Sequence, residues 1–154
     1  MVRLPIPAVS ACLFASILAG CATPPPAPPM RTIAVTNAPK AAGPYSQGIV
    51  VNGFFYTAGM VSRDPATGNL AQGDIVAHTN RALDNLEAIL AGACCTFKDV
   101  VKVNVYMADI GDFTKMNEAY AVRFGDNRPA RTTIQAARLP GGAPIEIDMV
   151  ARLP

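Results

Sequence analysis

The pair Asn52-Gly53 constrains the fold of this sequence more than any other feature. It stands between two runs of β-branched and aromatic residues in SQGIVVNGFFYTAGM. Asparagine and glycine tolerate the positive φ angles that a two-residue hairpin turn requires. The pattern therefore predicts two antiparallel strands, near residues 46–51 and 54–60. The RDPATGN stretch at residues 63–69 consists of turn-forming residues and predicts a loop.

The middle of the sequence alternates between helical and β periodicity. From Asp74, a suitable N-cap, apolar residues recur at helical spacing to about residue 93. A second helical pattern begins near Asp112 and ends at Gly125, with one apolar side formed by Phe113, Met116, Tyr120 and Phe124. Between the two helices, a half-buried strand is predicted by the alternation of Val101, Val103, Val105 and Met107 with polar residues.

Two further strands are predicted in RPARTTIQAARLP, residues 128–140, and APIEIDMVARL, residues 143–153. Because strand side chains alternate, Arg131, Thr133 and Gln135 share one face, and we expect this to be the polar face. Gly141-Gly142 predicts an antiparallel reversal between the two strands.

The order of these elements is strand, strand, helix, strand, helix, strand, strand. It predicts an α+β domain with a mixed β-sheet and both helices packed on one face. The opposite sheet face must then be covered. In a chain with 51% hydrophobic residues, we expect other copies of the chain to cover it, and so a homo-oligomer.

The first 30 residues differ in character from the rest. Residues 1–20 carry one positive charge before AVSACLFASILAG, which is shorter than the roughly 20 apolar residues of a spanning helix and typical of a signal peptide. LAGC, residues 18–21, resembles the lipobox of bacterial signal peptidase II, so Cys21 is predicted to carry lipid. The alternative is an ordinary signal peptide with a chance cysteine. Ala22 resembles the residue that follows the cysteine in lipoproteins sorted to the outer membrane.

We therefore divide the chain into a signal peptide at residues 1–20, a lipidated cysteine with a proline-rich tether at 21–30, and a folded domain at 31–154. The expected location is the periplasmic side of the bacterial outer membrane, with the membrane contacted only through the lipid. Loss of residues 1–20 removes one of 13 basic residues and none of the 11 acidic ones, leaving a formal charge of +1. This charge is too small to capture nucleic acid, which we exclude as a partner.

The remaining cysteines and the single histidine indicate no metal site. Cys94 and Cys95 are adjacent, so they are either a strained vicinal disulfide or small residues at a helix end. Zinc-type ligand spacing is lacking, and His78 is expected to be a polar position on a helix. We predict neither a metal nor an organic cofactor.

Several motifs in order carry a family resemblance: NAPKAAGPYSQGIVVNGFFYTAGM, DPATG, NLEAILAGA, DFTKMNEAY and RPARTTIQAARLPGGAPIEIDMVA. Together they resemble the RidA family, also called YjgF/YER057c/UK114, from about residue 37 to 151. The resemblance implies a chorismate-mutase-like α+β fold and a homotrimer with clefts between subunits. It also implies hydrolysis of reactive enamines and imines, such as 2-aminoacrylate and 2-iminobutanoate, to 2-keto acids and ammonia.

The same resemblance implies roles for individual residues. Arg131 matches the arginine that binds the substrate carboxylate, and Glu146 the glutamate that holds the attacking water. The matches to other cleft positions are Tyr45, Asn117, and, through their backbone N–H groups, Gly59 and Thr133.

Three residues depart from the family pattern: Met60 stands for a glutamine, Thr133 for a cysteine and Cys94 for a glycine. We expect the change at Thr133 to be tolerated. Met60 is expected to alter the polarity of the cleft.

These residue types suit imine hydrolysis. The planar guanidinium of Arg131 can grip both carboxylate oxygens, and the carboxylate of Glu146 can place a water for attack on the C=N carbon. Taken alone, Arg131 also fits a surface ion pair and Glu146 a solvated strand face. The alternative function is a non-catalytic trimer that binds small carboxylates or acts as a partner-binding holdase. Arg138 is expected to be structural.

Overall fold

The computed structural model describes residues 29–154. The signal peptide, Cys21 and most of the tether lie outside these residues. The lipid anchor therefore stays a prediction from the sequence. Within residues 29–154, no helix is both long and apolar enough to cross a membrane.

The described residues form one sheet and two α-helices. In chain order the elements are β1 (Arg31–Ile33), β2 (Gly48–Val51), β3 (Phe54–Thr57), β4 (Met60–Val61), α1 (Ile75–Gly92), β5 (Val100–Met107), α2 (Phe113–Phe124), β6 (Ala130–Gln135) and β7 (Ile145–Arg152). The sheet order is β1-β2-β3-β7-β5-β6, with β4 also paired to β7. Among the strands within residues 29–154, only the β5–β6 pair is parallel, so the predicted mixed α+β sheet is confirmed.

Local signals place the ends of several elements where the sequence predicts them. Asn52 and Gly53 have φ angles of 50° and 78° and join β2 to β3 in an antiparallel hairpin. The Asp74 side chain accepts hydrogen bonds from the backbone N–H groups of Val76 and Ala77, which caps α1. Gly125, with φ of 55°, ends α2.

Both helices pack on the same face of the sheet, and the core lies between them and the central strands. Along β5 and β7 every second side chain is buried against the helices. The fully buried side chains with the largest volumes include Phe55, Leu83, Leu86, Ile89, Leu90, Met107, Met116, Ile145, Ile147 and Met149. Each contributes roughly 1.5–3 kcal/mol of hydrophobic stabilisation, which makes this layer the main source of stability.

The last two strands run antiparallel, as the reversal at Gly141-Gly142 predicts, but they are not neighbours in the sheet. β5 lies between β6 and β7, running parallel to β6 and antiparallel to β7. Gly141 and Gly142 instead lie in a short 3₁₀ turn that carries the chain past the end of β5. The physical reason is that α2 forms a crossover from β5 to β6, which leaves the other edge of β5 for β7.

The strand predicted at residues 54–60 is interrupted. It splits into β3 and β4, which pair with β7 at Tyr56↔Val150 and Met60↔Ile147. The chain takes four steps from Tyr56 to Met60 while β7 takes three, so the β3–β4 side has one extra residue. Ala58 and Gly59 therefore bulge out of the ladder, as residues near functional sites often do. A second irregularity, between Val100 and Lys102, leaves Val101 43% exposed, so its predicted place in the core is wrong.

Candidate functional site

Arg131 lies on the edge strand β6, on the face covered by α2. It is opposite Val103, which is buried in the core, so the two side chains share the helix-bearing face. Nη2 of Arg131 donates a hydrogen bond to Oδ1 of Asn117 at 2.6 Å. Its guanidinium carbon is 4.6 Å from the ring centroid of Tyr120 and 5.8 Å from that of Phe113. The aromatic rings thus hold the cation by cation–π attraction, with two contacts from the same helix.

The expectation that Arg131 points to a polar sheet face is therefore only half right. Arg131 and Thr133 do share a face, but aromatic residues of α2 cover it. The apolar Ile134 is 47% exposed on the opposite face. Side-chain polarity on an edge strand did not reveal which face the helix covers.

Two buried hydroxyl groups beside Arg131 have no hydrogen-bond partner among the described residues: Tyr120 Oη and Thr133 Oγ1. Leaving such a group unpaired costs about 1–3 kcal/mol, so a bound molecule or water that pairs with them is favoured. Burial raises the pKa of Tyr120 to about 12, and the positive charge of Arg131 opposes part of that shift. Tyr120 is therefore a neutral donor at ordinary pH. Together with Asn117, Arg131 and neighbouring residues it lines a recess of about 230 Å³.

Glu146 lies on β7, on the face away from the helices. Its carboxylate packs directly on the backbone of Gly59 in the bulge between β3 and β4, and a Cβ at Gly59 would overlap Oε1. Glu146 borders two recesses. One, of about 130 Å³, is shared with Tyr45, Lys40 and Arg63, and the other, of about 470 Å³, with Tyr106 and Arg138 among others.

The protonation of Glu146 is shifted by its surroundings. Burial, and then the nearby negative charge of Asp148, raise the pKa of Glu146 above its usual value of 4.5. A carboxyl group whose pKa moves towards neutral pH can both accept and return a proton under mild conditions. This behaviour suits the water-holding role implied for Glu146.

Tyr45 and Met60 both border the smaller recess. Tyr45 is 51% exposed, and its hydroxyl accepts a hydrogen bond from the backbone N–H of Ala42 at 3.1 Å. Met60 is only 4% exposed and packs in the core while also lining this recess, so its expected effect on the polarity of the cleft stays a prediction. Arg138, expected to be structural, borders the larger recess next to Glu146.

The site residues form two separate groups in one chain. Tyr106 of β5 is paired with Glu146 of β7 on one side and with Ile134 of β6 on the other. Arg131 lies three residues before Ile134 in β6. Arg131 and Glu146 are thus two strand spacings, about 10 Å, apart across the sheet and about 10 Å apart along it, on opposite faces. The structure brings Arg131 and Asn117 together, with Thr133 further along the same face of β6, and separately gathers Glu146, Tyr45 and Gly59 around one recess.

Three further residues of these recesses were missed from the sequence. The sequence places Tyr120 only on the apolar side of a helix, whereas its ring contacts the guanidinium of Arg131 and its buried hydroxyl has no partner within residues 29–154. Arg63 was part of a turn, and Lys40 carried no local signal at all. Their chemistry depends on contacts with segments distant in the sequence, which periodicity does not report.

Comparison with known proteins assigns the family. The family described as endoribonuclease L-PSP matches residues 35–153. The human 2-iminobutanoate/2-iminopropanoate deaminase is 44% identical over 121 residues, covering 79% of this chain and 88% of the human protein. These matches confirm the RidA resemblance.

Solved structures agree on the fold. RidA from an Antarctic Psychrobacter bacterium superposes with a TM-score of 0.77 at 35% identity, over 79% of this chain and 98% of that one. TdcF of E. coli with bound serine superposes with a TM-score of 0.75 at 31% identity, over 79% of this chain and 98% of TdcF. The expected RidA-like fold is confirmed, and the chain belongs to the endoribonuclease L-PSP family.

Proposed function

We propose that this protein hydrolyses reactive 2-imino and 2-enamino acids, such as 2-aminoacrylate and 2-iminobutanoate, to 2-keto acids and ammonia. The observation that carries the proposal is the pair of complementary groups: a guanidinium oriented by Asn117 and Tyr120, and a partly buried carboxyl group seated on Gly59. Relatives more than 40% identical that are named 2-iminobutanoate/2-iminopropanoate deaminase support it.

Each group has a defined part in the reaction. Arg131 binds the substrate carboxylate through two parallel N–H···O hydrogen bonds, which fixes the adjacent C=N carbon. Glu146 accepts a hydrogen bond from a water and takes its proton as the oxygen adds to that carbon. The same proton passes to the nitrogen, which gives a carbinolamine with one hydroxyl and one amino group on that carbon. Glu146 then takes the hydroxyl proton and passes it to the amino group, so the C–N bond breaks and ammonia leaves as the C=O group forms. Tyr120 lines the recess with Arg131, and its hydroxyl has no partner within residues 29–154, so it is a donor available to a ligand bound there.

We further propose a homotrimer in which the Arg131 group of one subunit faces the Glu146 group of the next. The two groups lie on opposite sheet faces of one chain, so a second copy is needed to bring them together. The helix-free sheet face also exposes apolar side chains suited to an interface, including Phe54, Tyr56 and Ile134. The serine bound to the relative TdcF supports a small, amino-acid-like ligand.

The test generates 2-aminoacrylate or 2-iminobutanoate in situ and follows keto-acid release in competition with semicarbazide. We expect the purified protein to accelerate release and Arg131→Ala to abolish the acceleration. Glu146→Gln should lose turnover yet still bind a small 2-keto acid, because Arg131 is intact. If a folded wild-type trimer bound the keto acid but released product no faster than buffer, the protein would be a carboxylate-binding protein instead.

We also propose that Cys21 carries a lipid that holds the protein at the periplasmic side of the outer membrane. The charge, the apolar length and the LAGC sequence of residues 1–21 support this location. Labelling with a palmitate analogue followed by membrane fractionation tests it. Cys21→Ser should remove both the label and the membrane association, and label retained in that variant would contradict the proposal.

A further inference from the structure

The smaller recess beside Glu146 is more cationic than a substrate with one carboxylate requires. Lys40 and Arg63 both line it, and neither forms an ion pair with any residue from 29 to 154. Glu146 is the only acidic residue that lines this recess within those residues. At about 130 Å³, the space is small and suits one short polar group rather than a large apolar side chain.

Arg63 is held in place from several directions. Its backbone carbonyl accepts a hydrogen bond at 2.8 Å from Nδ2 of the buried Asn85, and an isolated β-bridge joins Arg63 to Leu70. Its Nη1 donates to the carbonyl of Gly68 at 2.7 Å. Its Nη2 lies against Gly141, where a Cβ would overlap it. The guanidinium is therefore pre-oriented, which lowers the entropy lost when a ligand binds.

Within residues 29–154, the Arg63 side chain makes only one hydrogen bond, to the carbonyl of Gly68. Most of its N–H groups are therefore available to an acceptor in the recess. A carboxylate is the acceptor whose geometry and charge match a guanidinium best. The ammonium of Lys40, exposed at the rim of the same recess, adds a second positive charge.

We propose that the preferred substrates are 2-imino acids with an acidic side chain, whose distal carboxylate is bound by Arg63 and Lys40. The proposal rests on the deaminase function proposed above. In that site Arg131 binds the carboxylate next to the imine, so the substrate contacts three cations and the carboxylate of Glu146. A substrate with two carboxylates balances these charges, whereas one with a single carboxylate leaves the site cationic.

The test compares two imines of nearly identical shape, made in situ from glutamate and glutamine by amino-acid oxidases. They differ only in whether the side chain ends in a carboxylate or an amide. We expect kcat/KM of the wild-type protein to be about tenfold or more higher for the acidic imine, as for one charge-assisted hydrogen bond. Arg63→Gln should lower the ratio severalfold, since only Lys40 is left to bind the distal carboxylate, and Arg63→Lys should keep more of it.

Arg81→Gln is the matched control, because Arg81 is also a partly exposed arginine but lines a different groove and pairs with Asp64 and Asp84. It should leave the ratio unchanged. Thermal unfolding of each variant shows whether Arg63→Gln is folded. A wild-type ratio near one, or a ratio that is unchanged in Arg63→Gln, would overturn the proposal.

Binding measurements separate this inference from the deaminase function. If the wild-type protein hydrolyses both imines at equal kcat/KM, the function stands and the inference is overturned. If it hydrolyses neither, the function fails, and calorimetry with 2-oxoglutarate and its amide counterpart decides the inference. Tighter binding of 2-oxoglutarate that is lost in Arg63→Gln supports diacid recognition, and equal binding of the two ligands overturns it.

Discussion

At Glu146, two effects act on a single carboxyl group. Burial disfavours its charged form, and the like charge of Asp148 on the same strand disfavours it further. Both effects raise its pKa. When the pH is lowered, Glu146 therefore becomes protonated, and can no longer accept a proton, at a higher pH than a free glutamate does. The pH dependence of the reaction should report this shift directly.

We expect Asp148→Asn to move the acid limb of the kcat/KM profile to lower pH. Removing the negative charge stabilises ionised Glu146, so its pKa falls and the active form persists further into acid. Oδ1 of the new side chain can still accept the hydrogen bond that Asn104 donates to Asp148 at 2.9 Å, which preserves the local geometry. The measurement is a pH–rate profile of both proteins. An unchanged acid limb would mean that Asp148 does not influence the reacting carboxyl group.

At Gly59, the absence of a side chain makes room for the carboxylate of Glu146. We expect Gly59→Ala to push that carboxylate aside and lower kcat/KM by about tenfold or more, since a misplaced catalytic group loses its positioning. Stability should change by less than about 1 kcal/mol, because the displaced atoms end a flexible chain.

Steady-state kinetics with thermal unfolding checks the effect of Gly59→Ala, and a double-mutant cycle is the control. In a Glu146→Ala background the clash is absent, so adding Gly59→Ala should change neither stability nor residual activity. A further loss in that background would show that Gly59 acts independently of Glu146.

At the scale of elements, the end of α1 combines a regular capping motif with an unusual residue. The backbone N–H of Cys95 donates to the carbonyl of Leu90, and that of Cys94 to the carbonyl of Ala91, the pattern of a Schellman motif. Cys94 has φ of 60°, a left-handed conformation that favours glycine. Both cysteines are free thiols, with Cys94 exposed at the helix end and Cys95 buried, rather than a vicinal disulfide.

We expect Cys94→Gly to increase the free energy of unfolding by about 1 kcal/mol, because glycine adopts this conformation without a steric penalty. Chemical denaturation of the purified variant measures the change. Cys94→Ala is the control, since alanine removes the thiol but keeps the strained backbone, and it should leave stability nearly unchanged. Equal stabilisation by both variants would trace the effect to the thiol instead.

At the scale of the whole molecule, the opposite-face placement of Arg131 and Glu146 predicts complementation between subunits. Arg131→Ala and Glu146→Gln should each be inactive alone. If the two are unfolded and refolded together as mixed trimers, roughly a quarter of the sites should combine an intact Arg131 with an intact Glu146. Activity of the mixture against the separate variants is the measurement. No recovery, in samples proven to be mixed trimers, would place both residues in one subunit's site.

Features that depend on a few neighbouring residues followed from the sequence alone. The Asn52-Gly53 hairpin, the Asp74 cap and the end of α2 at Gly125 lie where predicted, because turn and cap energetics are set within about four residues. The alternation along β7 and most of β5 also separated buried from exposed side chains correctly. The motifs of the family identified the candidate residues Arg131 and Glu146 before any fold was known.

Strand order and the helix-covered face were decided only by the tertiary structure. The position of β5 between β6 and β7, the bulge at Gly59 and the contact of Arg131 with Tyr120 all depend on pairings between segments far apart in the chain. The same is true of Arg63, whose guanidinium is oriented by Gly68 and Gly141. The residue types of the site could be predicted from the sequence. The division of the site between two sheet faces could not, because pairing between distant segments leaves no local periodicity.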